Sequence, residues 1–151
     1  IPEQQGATIV HGDYRLDNCM VGDDGDVVAV LDWEICTLGD PMADVGLLMV
    51  YWNDPDDSIT TMTTPAVNVE GMITRKEVLD RYADARRRDL SQIDYYIAFG
   101  SFRLAVISEG VYARYLHGAM GDQAISDEQL NAFKVGTEIL AESALDAMRR
   151  L

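Results

Sequence analysis

Apolar and polar positions change rhythm once along this chain. The first third carries three short apolar runs: Thr8-Ile9-Val10 closing at His11-Gly12, Cys19 to Gly22, and Val27 to Leu31. Runs this short, bounded by Gly and Asp, predict strands. Asp23-Asp24-Gly25-Asp26 separates the last two, and an Asp-Gly step between apolar runs predicts a β-hairpin. The expected order is a strand, a polar loop from His11 to Asn18, and the hairpin.

Beyond Leu31 the spacing turns helical. Asp40-Pro41 sets an acidic cap before a proline at the first helical position, which predicts a helix to about Tyr51. Thr74-Arg75-Lys76-Glu77 is a capping box for a helix to about Arg88, and Ser126 to Gln129 is another for a last helix to about Arg150. Between these, a helix over about Asp94 to Leu116 carries apolar residues nearly all round, which predicts a central position packed on several sides. Gly118 and Gly121 end it. The polar stretch from Asn53 to Ile73 is long for a plain connection. No internal repeat breaks the pattern, so residues 1–151 are expected to form a single α+β, mainly α domain.

Composition narrows the classes. The 151 residues are 48% apolar, with two cysteines and a formal charge of −14. Such a charge argues against a nucleic-acid partner, because phosphate backbones select basic surfaces. It accords with a solvated acidic surface and would tolerate a cationic substrate. No run reaches the roughly 18 apolar residues of a membrane span. Two cysteines make no disulfide framework, and a cytoplasmic setting is expected. The chain opens at Ile1 without an initiator Met and is expected to be a piece of a longer protein.

The candidate chemistry sits in the polar loop. His11-Gly12-Asp13-Tyr14-Arg15-Leu16-Asp17-Asn18 holds one His, two Asp, one Arg and one Asn between strands. The second hairpin strand then ends in Leu31-Asp32-Trp33-Glu34. A hairpin folds back on itself, so Asp32 should return beside Asn18. Asn18 and Asp32 would supply hard oxygens suited to Mg²⁺ with phosphate oxygens completing its shell. Asp13 would be a separate carboxylate able to accept the proton of an attacking hydroxyl.

H-G-D-x-x-x-x-N followed by a strand ending in Asp resembles the catalytic and metal-binding segments of the aminoglycoside phosphotransferase-like kinases, relatives of the protein kinases. Leu38-Gly39-Asp40-Pro41-Met42-Ala43-Asp44-Val45-Gly46 is similar to that family's G-D-P-x-x-D segment. The resemblance implies the C-terminal lobe of a protein-kinase-like fold, with a small hairpin and four or five helices. It implies ATP- and Mg²⁺-dependent phosphoryl transfer to a hydroxyl of a small molecule. Asp13 would be the catalytic base, and Arg15 would stand where protein kinases have a phosphate-contacting Lys. Asn18 and Asp32 would hold Mg²⁺ and the nucleotide phosphates. His11 would brace the loop, while Asp40 and Asp44 would cap the following helix and tie it to that loop. Glu34 would share a face with Asp32 if the strand continued.

Other acidic and basic clusters read more simply. Asp17 suits a solvated turn, and Asp23, Asp24 and Asp26 lack EF-hand spacing, so turn chemistry accounts for them. Arg86-Arg87-Arg88 favours a helix C-terminus through the dipole, and His117 suits the end of the long helix.

The resemblance covers about Thr8 to Leu48 closely. The family's N-terminal lobe is missing: there is no Gly-rich phosphate loop, and Lys76 and Lys134 sit on later helices. The chain alone is therefore expected to be inactive, with activity in the intact parent and self-association through the bared lobe interface. One rival is a pseudokinase-like binding module. Another is a non-haem iron oxygenase built on His11, Asp13 and His117. The run from Thr64-Pro65 to Arg81-Tyr82-Ala83 resembles kinase domains fused to acyl-CoA dehydrogenases, which implies a hydroxyacyl-CoA acceptor.

Overall fold

The computed structural model describes residues 1–54, 57, 69–121 and 125–151. Strand β1 (Thr8–Val10) leads through the polar loop to a short 3-10 turn (Leu16–Asn18) and the hairpin β2 (Cys19–Val21) and β3 (Val27–Val30). Strand β4 (Thr37–Gly39) follows, then helices α1 (Met42–Tyr51), α2 (Arg75–Arg86), α3 (Ile93–Leu116) and α4 (Asp127–Arg149). The architecture is mainly helical, as expected.

Two antiparallel pairs frame the loop. β2 pairs with β3, with Cys19 opposite Val30 and Met20 opposite Ala29. The turn forms where the Asp-Gly step predicts it: Gly25 takes φ 86, and Asp24 Oδ1 accepts the amide of Asp26 at 3.1 Å. β1 pairs with β4, with Thr8 opposite Gly39 and Val10 opposite Thr37. The strand that enters the polar loop is thereby fixed to the strand that leads into α1.

α3 packs against both α1 and α4. Leu47 and Tyr51 from α1, Leu104 and Ala105 from α3, and Leu140 from α4 make one buried cluster. The α1–α3 crossing is unusually close, since a Cβ on Gly46 would lie 2.5 Å from the Tyr96 carbonyl carbon. Tyr96 also anchors a second cluster with Met42 and Val45. α3 is central and packed by more than one neighbour, as expected, but one apolar strip stays open, where Phe99, Phe102, Val106 and Ile107 are exposed. Periodicity reports apolar faces and says nothing of whether a neighbour covers them.

Both capping boxes form, at Thr74 with Glu77 and at Ser126 with Gln129. The Arg86-Arg87-Arg88 run does more than answer a helix dipole. Arg87 takes φ 51 as the α2 cap, and Arg88 donates to the main-chain carbonyl of Gln5, pinning the N-terminal segment. No described helix is long and apolar enough to cross a membrane.

Candidate active site

The loop between β1 and the 3-10 turn is held by bonds to its own backbone. Asp44, in the first turn of α1, accepts the amide of His11 at 2.7 Å and that of Gly12 at 2.8 Å. Gly12 takes φ 86, a conformation that favours glycine, and a Cβ there would lie 3.0 Å from the Ile35 carbonyl oxygen. His11 is buried. Its Nδ1 accepts the amide of Asp13 at 3.2 Å, which leaves Nε2 to donate to the Leu31 carbonyl at 2.7 Å. His11 thus braces the loop against the end of β3.

Asp40 and Asp44 divide the expected capping and tying between them. Oδ1 accepts the amide of Met42 at 2.9 Å, so it does cap α1. Oδ2 accepts the Gln5 amide at 2.8 Å and the Tyr96 hydroxyl at 3.0 Å. Asp40 therefore ties α1 to the N-terminal segment and α3, and the link to the loop falls to Asp44.

Asp13 and Asn18 meet directly. Asn18 Nδ2 donates to the main-chain oxygen of Asp13 at 2.8 Å and to its Oδ2 at 3.2 Å. With the amide nitrogen committed to Asp13, Asn18 Oδ1 accepts no hydrogen bond among the described residues. Leu31 donates its amide to the Asn18 carbonyl at 2.8 Å, so the backbone of Asp32 starts one residue from this contact. There Asp32 turns into the left-handed region at φ 63. Its side chain is exposed and has no hydrogen bond or ion pair among the described residues. A left-handed non-glycine residue is uncommon and clusters at functional sites.

Arg15 lies against the carboxylate. Its Nε is 3.7 Å from Asp13 Oδ2, its Nη1 is 3.8 Å from Asp17 Oδ2, and its guanidinium carbon is 5.2 Å from the Tyr51 ring centre. Arg15 Nε is buried without a hydrogen-bond partner. Tyr51, read from the sequence only as the end of α1, donates its hydroxyl to Asp13 Oδ1 at 2.8 Å. Burial, then that hydrogen bond, holds the Tyr51 hydroxyl well above the usual tyrosine range, so it remains a donor.

The strand that would have put Glu34 on one face with Asp32 does not continue. The chain leaves β3 at Val30 and turns, Cys36 donating to the Trp33 carbonyl at 3.1 Å, so the shared strand face does not exist. The iron triad also fails. Both ring nitrogens of His11 are engaged, His117 is the exposed cap of α3, and no group of three His, Cys, Asp or Glu among the described residues could hold a metal. An Asn–Asp pair is a different donor set. It suits Mg²⁺, which takes one or two protein oxygens and completes its shell with water and substrate phosphates. The free Asn18 oxygen and the exposed Asp32 carboxylate, on segments joined by the Leu31–Asn18 backbone bond, are donors of the kind that demand calls for.

A helical lobe with a hydrogen-bonded Asp and Asn at the head of a hairpin defines a kinase-like phosphotransferase architecture. The model of the phosphotransferase enzyme family matches residues 1–96, and the chain belongs to that family. It is 38% identical over 150 residues to acyl-CoA dehydrogenase family member 10 of Mus musculus, covering 97% of this chain and 14% of the relative. It is 31% identical over 156 residues to acyl-CoA dehydrogenase family member 11 of Gallus gallus, covering 99% of this chain and 19% of that protein. The crystal structure of a Ralstonia eutropha protein assigned as an aminoglycoside phosphotransferase superposes with a TM-score of 0.71 at 30% identity. That match covers 95% of this chain and 43% of the other. The chain thus spans under a fifth of these curated relatives and less than half of the solved structure.

Proposed function

We propose that this chain is the catalytic-loop half of an ATP- and Mg²⁺-dependent kinase that phosphorylates a hydroxyl of a small molecule. The observation that carries this reading is the paired Asp13–Asn18 contact, which leaves one Asn18 oxygen free while Leu31, the residue before Asp32, is hydrogen-bonded to the Asn18 carbonyl. Asp13 orients the acceptor hydroxyl and takes its proton late in transfer. Arg15 contributes positive charge where the transferred phosphoryl group passes. Asn18 and Asp32 hold the cation, which when bound neutralises charge on the nucleotide phosphates.

The acceptor is a hydroxylated small molecule, and the likeness to the acyl-CoA dehydrogenase family members favours a hydroxyacyl thioester. Most of the long polar stretch from Asn53 to Ile73 lies outside the described residues. A cavity of about 410 Å³ lined by Val50, Arg75, Ser101, Glu142 and Asp146 offers room for part of the acceptor. The nucleotide-binding lobe, self-association through the bared lobe interface, and a cytoplasmic location complete the proposal.

The test is Mg²⁺- and acceptor-dependent ADP release from MgATP by the full-length protein, screened over hydroxyacyl-CoA, amino-alcohol and sugar acceptors. Release stimulated by one acceptor class supports the reading and names the substrate. Magnesium-dependent nucleotide binding with no transfer to any acceptor would instead make this a binding module.

A further inference from the structure

Tyr51 is the point where the two residues closest to the proposed chemistry are held together. Its hydroxyl reaches Asp13 Oδ1 at 2.8 Å, while Asn18 Nδ2 reaches Oδ2 at 3.2 Å. A donor on each oxygen fixes the plane of the carboxylate, since rotation about the last side-chain torsion would break both bonds. That torsion is otherwise broad for Asp. Each carboxylate oxygen still has a second lone-pair site free for an acceptor hydroxyl. The Tyr51 ring meanwhile lies under the guanidinium of Arg15 at 5.2 Å, a contact that favours a cation over the aromatic face.

The ring itself cannot easily move. Tyr51 is 3% exposed and packed among Leu47, Leu104, Ala105 and Leu140, so α1, α3 and α4 together set the position of its hydroxyl. The helical core is thereby connected to the base through one side chain.

We propose that Tyr51 is a positioning residue for phosphoryl transfer, its hydroxyl orienting the Asp13 carboxylate and its ring seating Arg15. This rests on the kinase reading above. Phosphoryl transfer depends mainly on positioning and charge, and misplacing a reacting group by about 1 Å can cost about 100-fold in rate. A residue that acts this way should change kcat and leave substrate binding alone.

The experiment compares wild type, Tyr51→Phe and Tyr51→Leu in the full-length protein. Tyr51→Phe keeps the ring and should lower kcat about 10- to 100-fold, with KM for ATP and acceptor within about twofold. Tyr51→Leu also unseats Arg15 and should fall further. In an Asp13→Asn background, Tyr51→Phe should change kcat less than about twofold, since both act through one group. An activity-independent readout accompanies these: the Tyr51 phenol-carbon NMR resonance, assigned by its loss in Tyr51→Phe, should move in Asp13→Ala. An unchanged or raised kcat in Tyr51→Phe, a loss confined to KM, an effect additive with Asp13→Asn, or a resonance indifferent to Asp13→Ala would each overturn the proposal. A wild type that transfers phosphate to no acceptor would instead overturn the kinase reading, while the resonance would still report whether the bond exists.

Discussion

Asn18 donates its side-chain amide to the main-chain carbonyl of Asp13 at 2.8 Å. That bond decides which way the Asn18 amide faces, so the free oxygen points away from the base. Asn18→Ala in the full-length protein should remove a cation ligand and its orienting bond together. The half-saturating Mg²⁺ concentration for ADP release should rise at least about tenfold, the scale seen when metal ligands or their partners are lost. A magnesium titration of activity checks this; an unchanged midpoint would remove Asn18 from the cation site.

Asp13→Asn should separate binding from turnover. An amide still accepts from Tyr51 but is a poor proton acceptor, so kcat should fall about 10²- to 10⁴-fold while ATP affinity stays within about twofold. Calorimetry beside steady-state kinetics would show the split. Equal losses in both would mean that Asp13 serves the nucleotide.

Gly46→Ala tests the helical frame. The added methyl would meet the Tyr96 backbone at 2.5 Å, and backbone cannot swing aside as a flexible side chain can. The α1–α3 pair must separate, costing about 3 kcal/mol or more. Because Tyr51 lies on α1, kcat should fall with stability. Urea unfolding measures the first and a turnover assay the second; a Gly46→Ala protein of wild-type stability would contradict the close crossing.

Alkaline pH should expose the buried tyrosines. Burial first, and then its hydrogen bond to Asp40, pushes Tyr96 up from 10.0 to about 12. The unfolded chain ionises this phenol first, so its contribution to stability is complete below about pH 10 and is lost as pH climbs from 10 towards 12. Tyr51 is shifted in the same direction. The urea midpoint of wild type should therefore drop across that window, and Tyr96→Phe should show a shallower drop from a lower starting value. Parallel slopes would show that Tyr96 is not held protonated by the fold.

What the sequence made legible was local. The Asp-Gly turn, the Thr74 and Ser126 capping boxes and the 3.6-residue spacing of α1 to α4 each depend on neighbours a few positions away, and each element appears where those signals lie. The spacing of Asp13, Asn18 and Asp32 was legible for the same reason, since a hairpin relates them. β4 was not, because three residues carry too little periodicity and Leu38-Gly39 read as part of a motif. The bonds from Tyr51 to Asp13, from Arg88 to Gln5 and from Asp40 to Tyr96 span 38, 83 and 56 positions. Tyr51 falls in the apolar register of α1 and looks like core until the tertiary fold turns its hydroxyl towards the loop.

The hairpin that presents Asp32 is bare on both of its faces: Met20, Val21, Val27 and Val28 are all at least half exposed. Two strands alone are marginally stable in water, so the hairpin is the softest support in the site, while Asp13 rests on the helical core through Tyr51. In the proposed kinase, cation affinity therefore carries a conformational factor. If the hairpin is properly formed for only a fraction of the time, the apparent dissociation constant is the intrinsic one divided by that fraction. Anything that covers those four side chains raises the fraction, and with it the affinity, without touching a single ligand atom.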